Sequence, residues 1–187
     1  MSLATPSVDP LSVARQQFLA LLHCGAHLLE AGCGEGDDLC FFRQQGLVVT
    51  AFDARLAQAR VASRRSGQPV RVCRISQLHS VVPYDGIWAR GALPLLAASE
   101  LSDALAHLAG LLKPAGPLYC AFPHPSGQPA SNDGTPETAS PLAEDRLSRL
   151  DEEGLRRLIA PLPLQLQQCW ESERTDGRWL HALLLRS

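Results

Sequence analysis

Residues 27–38 read HLLEAGCGEGDD. A short apolar run stops at three glycines in alternate positions, Gly32, Gly34 and Gly36, and passes directly into two aspartates and a helical pattern. That order is strand, tight turn, helix. Glycine is required in such a turn because a backbone without Cβ reaches left-handed conformations and approaches a ligand closely. A strand that leaves through this turn into a helix belongs to an α/β architecture.

The rest of the chain repeats the alternation. Residues 37–45 read as a helix closed by Gly46, and LVVTAF at 47–52 as a buried parallel-type strand ending at Asp53. A helix follows over 56–66, stopped by Gly67 and Pro69, then a third strand over 70–75 and a fourth over 84–89. The next helix, begun near Ser99, carries Leu101, Leu105, Leu108 and Leu112 as one apolar stripe. After the breaker at 113–116, residues 117–122 form a fifth strand. Right-handed crossovers then give a doubly wound, mostly parallel α/β sheet. Pro, Ser, Gly, Asn and Thr dominate residues 123–145, which read as a flexible loop or lid. Asp151 caps a helix running to Ile159, and 164–170 and 179–185 complete seven strands as an antiparallel hairpin across 171–178. No repeat interrupts a single domain over 1–187.

Composition narrows the function. With 45% hydrophobic residues, 19% charged residues and a net charge of −2, the 187 residues suit one core and supply no basic field for nucleic acid. Arg60, Arg64, Arg65, Arg71 and Arg74 read as a solvated face. The six cysteines include no Cys-x-x-Cys pair and no histidine at zinc spacing, so no metal is expected and the thiols are read as reduced. No secretory pattern and no membrane-length apolar run occur, which points to the cytoplasm and away from a membrane. A homodimer is compatible with this composition.

The charges beside the glycine loop separate cofactors. Asp37 and Asp38 occupy the first turn of the helix, where they suit the macrodipole but repel a pyrophosphate. S-adenosylmethionine has no phosphate and carries cationic sulfonium and amino groups, so these residues and Glu30 oppose it less. The plainer reading of Asp37 and Asp38 is a helix cap. Asp53 stands seventeen positions after Gly36 (53 − 36), where an acid accepts ribose hydroxyls; the plainer alternative is a surface residue opening a helix.

EAGCGEGDD, then VVTAFDA, YDGIWARGALPLL and LLKPAGPLYCAF, resemble the successive motifs of class I S-adenosylmethionine-dependent methyltransferases. Within them the pattern is most similar to the tellurite-resistance-type small methyltransferases. The resemblance spans residues 18–122; Arg146, Asp151, Glu152, Glu153 and 179–185 are similar to that group's C-terminal pattern. It implies a Rossmann-like methyltransferase fold. Gly32, Cys33, Gly34 and Gly36 would then line the methionine and ribose, and Asp53 would hold the ribose, with Ala54 and Arg55 beside the adenosine. Ser76, Gln77 and Leu78 would flank the adenine, and Arg90 and Gly91 would close the methionine side near the transferred methyl.

Three departures fall on positions that face a substrate. Arg90-Gly91-Ala92-Leu93-Pro94 stands where the group has Ala-Ser-Leu-Leu-His, Ala121-Phe122-Pro123 replaces Ser-Phe-Lys, and Asp145-Arg146 replaces Gly-Arg. Arg90 and Arg146 are candidates for an anionic small molecule, against the plainer reading of surface ion pairs. His124 is a candidate base beyond the fifth strand, against a loop histidine without a role. His107 reads as a plain helix-surface residue. No Asn-Pro-Pro-Tyr or Pro-Cys stretch follows the fourth strand, which argues against nucleic acid as the acceptor. No catalytic side chain is assigned, since a base is needed only if the nucleophile arrives protonated. The expected function is methyl transfer from S-adenosylmethionine to a small molecule. The alternatives are a catalytically degenerate cofactor-binding module and a nicotinamide-linked oxidoreductase, the latter disfavoured by the glycine spacing and Asp37.

Overall fold

The computed structural model describes residues 9–126 and 147–187. The chain runs α1 (Pro10–Leu19), β1 (His27–Ala31), α2 (Asp37–Gln44), β2 (Val48–Asp53), α3 (Leu56–Ser66), β3 (Arg71–Val72) and β4 (Gly86–Ala89). It continues through α4 (Ala98–Leu111), β5 (Pro117–Pro123), α5 (Glu152–Ile159), β6 (Leu164–Arg174) and β7 (Gly177–Arg186). The strands form one sheet in the order β3-β2-β1-β4-β5-β7-β6. Pairs among β1 to β5 are parallel, while β7 is antiparallel to both β5 and β6. The expected seven-stranded Rossmann-like sheet with a C-terminal antiparallel hairpin is therefore present.

Strand order reverses between β1 and β4. After β1 the chain builds outward to β2 and β3, then returns to the other side of β1. The crevice beyond the carboxyl ends of these two strands is where open α/β sheets hold ligands.

Alternation along the central strands buries both faces. Leu29, Ile87 and Leu118 face α4 and α5 together with Leu101, Leu105 and Leu108. Leu28, Trp88 and Tyr119 face the opposite way with Phe18 of α1 and Phe42 of α2. On that second face, rings from four adjacent strands form a ladder. Trp170 stacks on His181 at 5.4 Å and Trp88 on Tyr119 at 3.8 Å, with His181 and Tyr119 6.2 Å apart. Such pairs add ~0.5–1.5 kcal/mol each beyond the area they bury.

Local expectations fail where tertiary partners override them. The sequence pattern does not reveal α1, whose start is capped by the Asp9 carboxylate on Leu11 N and Ser12 N. The third strand is two residues rather than 70–75, because β3 pairs only with Phe52 and Asp53 before Ile75 turns into the core within a 3-10 turn (Ile75–Gln77). The fourth strand begins at Gly86, not Tyr84. Tyr84 N donates to Leu111 O, and Tyr84 O accepts from Lys113 N, which places that backbone beside the end of α4. The α4 helix starts at Ala98 after Ala97, not behind a Ser99 cap; the Glu100 carboxylate accepts from Ala97 N at 3.0 Å. The hairpin is longer than expected, with pairing continuing to Arg174 and Gly177 around Thr175 and Asp176. Most of the expected 123–145 loop lies outside the described residues, as does Arg146.

Candidate functional site

The glycine loop is held from below by the end of β2. Gly32 N and Cys33 N both donate to Phe52 O, at 2.9 and 3.0 Å. Gly34 N donates to Asp53 Oδ2 at 2.9 Å. All three loop glycines have positive φ: 74° at Gly32, 54° at Gly34 and 88° at Gly36. Space adds a second requirement at Gly32, where a Cβ would lie 2.7 Å from Ala92 Cβ. At Gly91 a Cβ would lie 2.8 Å from Gly32 O, so the loop and the segment after β4 touch backbone to backbone.

Asp53 is buried and organised. Its Oδ1 accepts from Arg55 N at 2.8 Å and from Arg55 Nε at 3.3 Å, while Oδ2 takes Gly34 N. A carboxylate offers about four acceptor sites, so three donors leave about one free. The Arg55 side chain is half exposed, and its longer bond is the one a ligand hydroxyl can displace.

A cavity of about 620 Å³ opens along this edge. It is lined by Gly32, Asp53, Ala54, Arg55, Ser76 and Gly91, which brings these expected site residues to one surface. Arg74, Ile75 and Ala92 also line it, as do Glu100, Asp103 and His107 on α4. The α4 residues were missed. Their signal was a polar stripe at helical spacing beside the leucine stripe, which places one helix edge at the cavity mouth. His107 is not a plain surface residue: it is half-buried, and its Nε2 lies 2.8 Å from Leu78 O.

Other expected residues sit apart from that surface. Leu78 is buried in the core, and the Gln77 side chain turns back to accept from Arg74 N at 3.0 Å. Gly36 serves packing: a Cβ there would meet Ala62 of α3 at 3.1 Å. Cys33 is buried, and burial pushes its thiol up to about 12, which keeps it protonated and inert. His124 lines neither cavity described here; its Nδ1 lies 2.7 Å from Ser126 Oγ and its Nε2 3.5 Å from Glu171.

Arg90 points to the other side of the sheet. Its Nε donates to Asp38 Oδ2 at 2.7 Å. Asp38 is not a helix cap but a buried hub, also receiving Arg15 Nε at 2.8 Å and Trp88 Nε1 at 3.0 Å. Asp37 pairs with Arg65 at the surface. Beside this cluster lies Glu30, 2% exposed, with Oε2 lacking a hydrogen-bond partner among the described residues. Burial, reinforced by the Asp38 charge, pushes its carboxyl well above the usual range. A second cavity, of about 590 Å³, lies over Arg90 between the start of α1 and the β6–β7 turn.

Residues 28–116 match the family model of a methyltransferase domain. No curated protein matches the sequence. Among solved structures, the chain is similar to the Synechocystis magnesium protoporphyrin IX methyltransferase with bound S-adenosylmethionine, at 18% identity and TM-score 0.71, covering 94% of this chain and 77% of that one. It is similar at 23% identity and TM-score 0.74 to the Burkholderia thailandensis 1,6-didemethyltoxoflavin-N1-methyltransferase, covering 94% and 77%. A TehB-like S-adenosylmethionine-dependent methyltransferase from Corynebacterium glutamicum is similar at 20% identity and TM-score 0.70, covering 97% and 90%. The fold is thus the Rossmann-like methyltransferase fold, and residues 28–116 are similar to a methyltransferase domain.

Proposed function

We propose that this domain holds S-adenosylmethionine in the cavity along Gly32, Asp53 and Gly91 and serves methyl transfer to a small-molecule acceptor. The observation that carries the reading is the tie between the loop and β2. Gly34 N and the Asp53 carboxylate form one unit at the cavity edge, with Gly32 and Gly91 leaving no space for side chains. The residues fit the cofactor on a second count: the buried Glu30 Oε2, without a hydrogen-bond partner among the described residues, leaves an acceptor beside the loop that an amino group can use and a phosphate cannot. When bound, the cofactor supplies an electrophilic methyl group on a sulfonium, and S-adenosylhomocysteine is left after its loss.

The chain's own residues bind and orient. The backbone of Gly32, Cys33, Gly34 and Gly36 shapes the loop, and Asp53 takes the ribose, exchanging the Arg55 Nε contact for a hydroxyl. Ala54 and Arg55 border the adenosine. Ser76 flanks the adenine together with Ile75, while Gln77 and Leu78 support that turn from behind. Gly91 closes the methionine side, where Arg90 departs toward Asp38. The TehB-like neighbour supports closeness to the tellurite-resistance type in shape. A single domain over 1–187, a cytoplasmic setting for the six free thiols and an acceptor that is not nucleic acid belong to the same reading. Arg146, His124 and a homodimeric state stay within it as further assignments.

The divergent residues at 90–94 favour one second reading, a module that binds the cofactor without turnover. Calorimetry against S-adenosylmethionine, S-adenosylhomocysteine and NAD tests the cofactor. Binding of the first two and not the third is the expected result, and binding of NAD alone overturns it. Release of S-adenosylhomocysteine across small thiols, oxyanions and amines separates the enzyme from the binding module.

A further inference from the structure

We propose that the second cavity, between the start of α1 and the β6–β7 turn, is the acceptor site and that it selects acceptors bearing a carboxylate or similar oxyanion. This rests on the assignment of the first cavity to the cofactor. The two cavities meet at consecutive residues: Arg90 lines the second, and Gly91 and Ala92 line the first. That partition stands at the carboxyl end of β4, next to the point where strand order reverses. An acceptor held in the second cavity would reach past Arg90 to meet the methyl carbon directly, its lone pair forming the new bond as the sulfur–carbon bond breaks and S-adenosylhomocysteine leaves.

Charge sets the class. Arg15 and Arg90 share the single carboxylate of Asp38, so two guanidiniums face one anion. The neighbouring acid, Glu30, is buried and held toward its neutral form. Behind the cavity wall, the cluster of Arg15, Arg90 and Asp38 thus carries one surplus positive charge, which Arg90 presents to the cavity. Arg90 uses Nε on Asp38, and its terminal nitrogens make no hydrogen bond among the described residues. Across the cavity, Arg174 lies over the Trp179 ring at 4.6 Å and pairs with Asp176 outside. The acids on the walls are engaged: Asp9 accepts the first amides of α1, and Glu173 pairs with Arg178. Both Arg90 and Arg174 act on His181, which burial and these two charges keep neutral. An organic anion fits between the two guanidiniums, whose planar forks match a carboxylate, with Leu11 beside its apolar part. An ammonium-bearing acceptor meets repulsion from the same charge.

The test uses the full chain and calorimetry in two stages. S-adenosylhomocysteine is titrated first; failure to bind overturns the cofactor assignment and leaves no acceptor site to define. Benzoate and malonate are then titrated into the S-adenosylhomocysteine-loaded protein beside benzamide and malonamide. The anions are expected to bind about tenfold more tightly than the amides, with affinity falling as salt rises. Arg174→Gln, at an exposed position, is expected to abolish that preference while S-adenosylhomocysteine affinity and melting temperature stay unchanged. Equal binding of acids and amides, no binding of either, or a preference that survives Arg174→Gln overturns the proposal. So does competition of malonate with S-adenosylhomocysteine, which would assign Arg90 to the cofactor's own carboxylate.

Discussion

The glycine loop after β1 and the segment after β4 occupy equivalent places. Each leaves a central parallel strand at the carboxyl edge of the sheet, and the two touch at Gly32 and Gly91. Their stability has different origins. The loop is fixed by backbone amides on Phe52 O and the Asp53 carboxylate, within reach of neighbouring strands. The segment after β4 is fixed by a long side chain, Arg90, that crosses to Asp38 fifty-two positions away (90 − 38). A turn built on backbone is set by local residues, whereas a direction set by an ion pair depends on everything that delivers the partner.

The largest loss is expected at the ion pair. Asp38→Ala leaves Arg15 and Arg90 facing each other with Trp88 Nε1 unpaired, and is expected to cost about 3–5 kcal/mol. Urea denaturation measures it, and a loss below about 1 kcal/mol would show the hub to be dispensable.

On the loop side, Gly32→Ala adds a Cβ 2.7 Å from Ala92 Cβ at φ 74°. A loss of roughly 2–4 kcal/mol is expected, with cofactor binding abolished. Gly34→Ala, with φ 54° and open space, is expected to lose only about 1–2 kcal/mol. Equal effects would show that the contact with Ala92 adds nothing to the cost of the positive φ.

Acid distinguishes the β7 side of the second cavity. His181 Nδ1 lies 2.7 Å from the Tyr119 hydroxyl and Nε2 2.7 Å from Ser172 Oγ, and burial, with the Arg174 and Arg90 charges, lowers its pKa from 6.5 to about 4. The unfolded chain takes up a proton near pH 6.5 that the folded chain refuses until about 4. This contribution is therefore complete above 6.5 and is lost as pH falls through that window, by up to about 3 kcal/mol. His181→Gln should flatten the slope; an unchanged slope would assign it to other groups.

The smallest effect is sought in binding alone. Asp53→Ala is expected to weaken S-adenosylhomocysteine by ~1–3 kcal/mol through the lost hydroxyl contact and a looser Gly34. Unchanged affinity in a folded variant removes the ribose role from Asp53.

Much of this was legible in the sequence because it is local. Alternate glycines, the apolar run ending in Asp53 and the leucine stripe at 101, 105, 108 and 112 each report backbone geometry within a few residues. The seven strands and the closing hairpin followed from that alternation. The errors came where distant partners decide: a Ser99 cap replaced by Ala97 and Glu100, a third strand cut short by the pull of Ile75 into the core, and an unrecognised α1.

The sequence by itself determined the class of site, since a tight glycine turn and an acid at the next strand end are short-range requirements of backbone and charge. Tertiary structure alone decided which side chains surround it. Only the packing of α4 against the 3-10 turn brings His107 to the cavity, and only the placement of α2 delivers the Asp38 carboxylate that draws Arg90 away from it. Side-chain direction at a sheet edge depends on partners supplied by folding, and residue spacing carries no record of them.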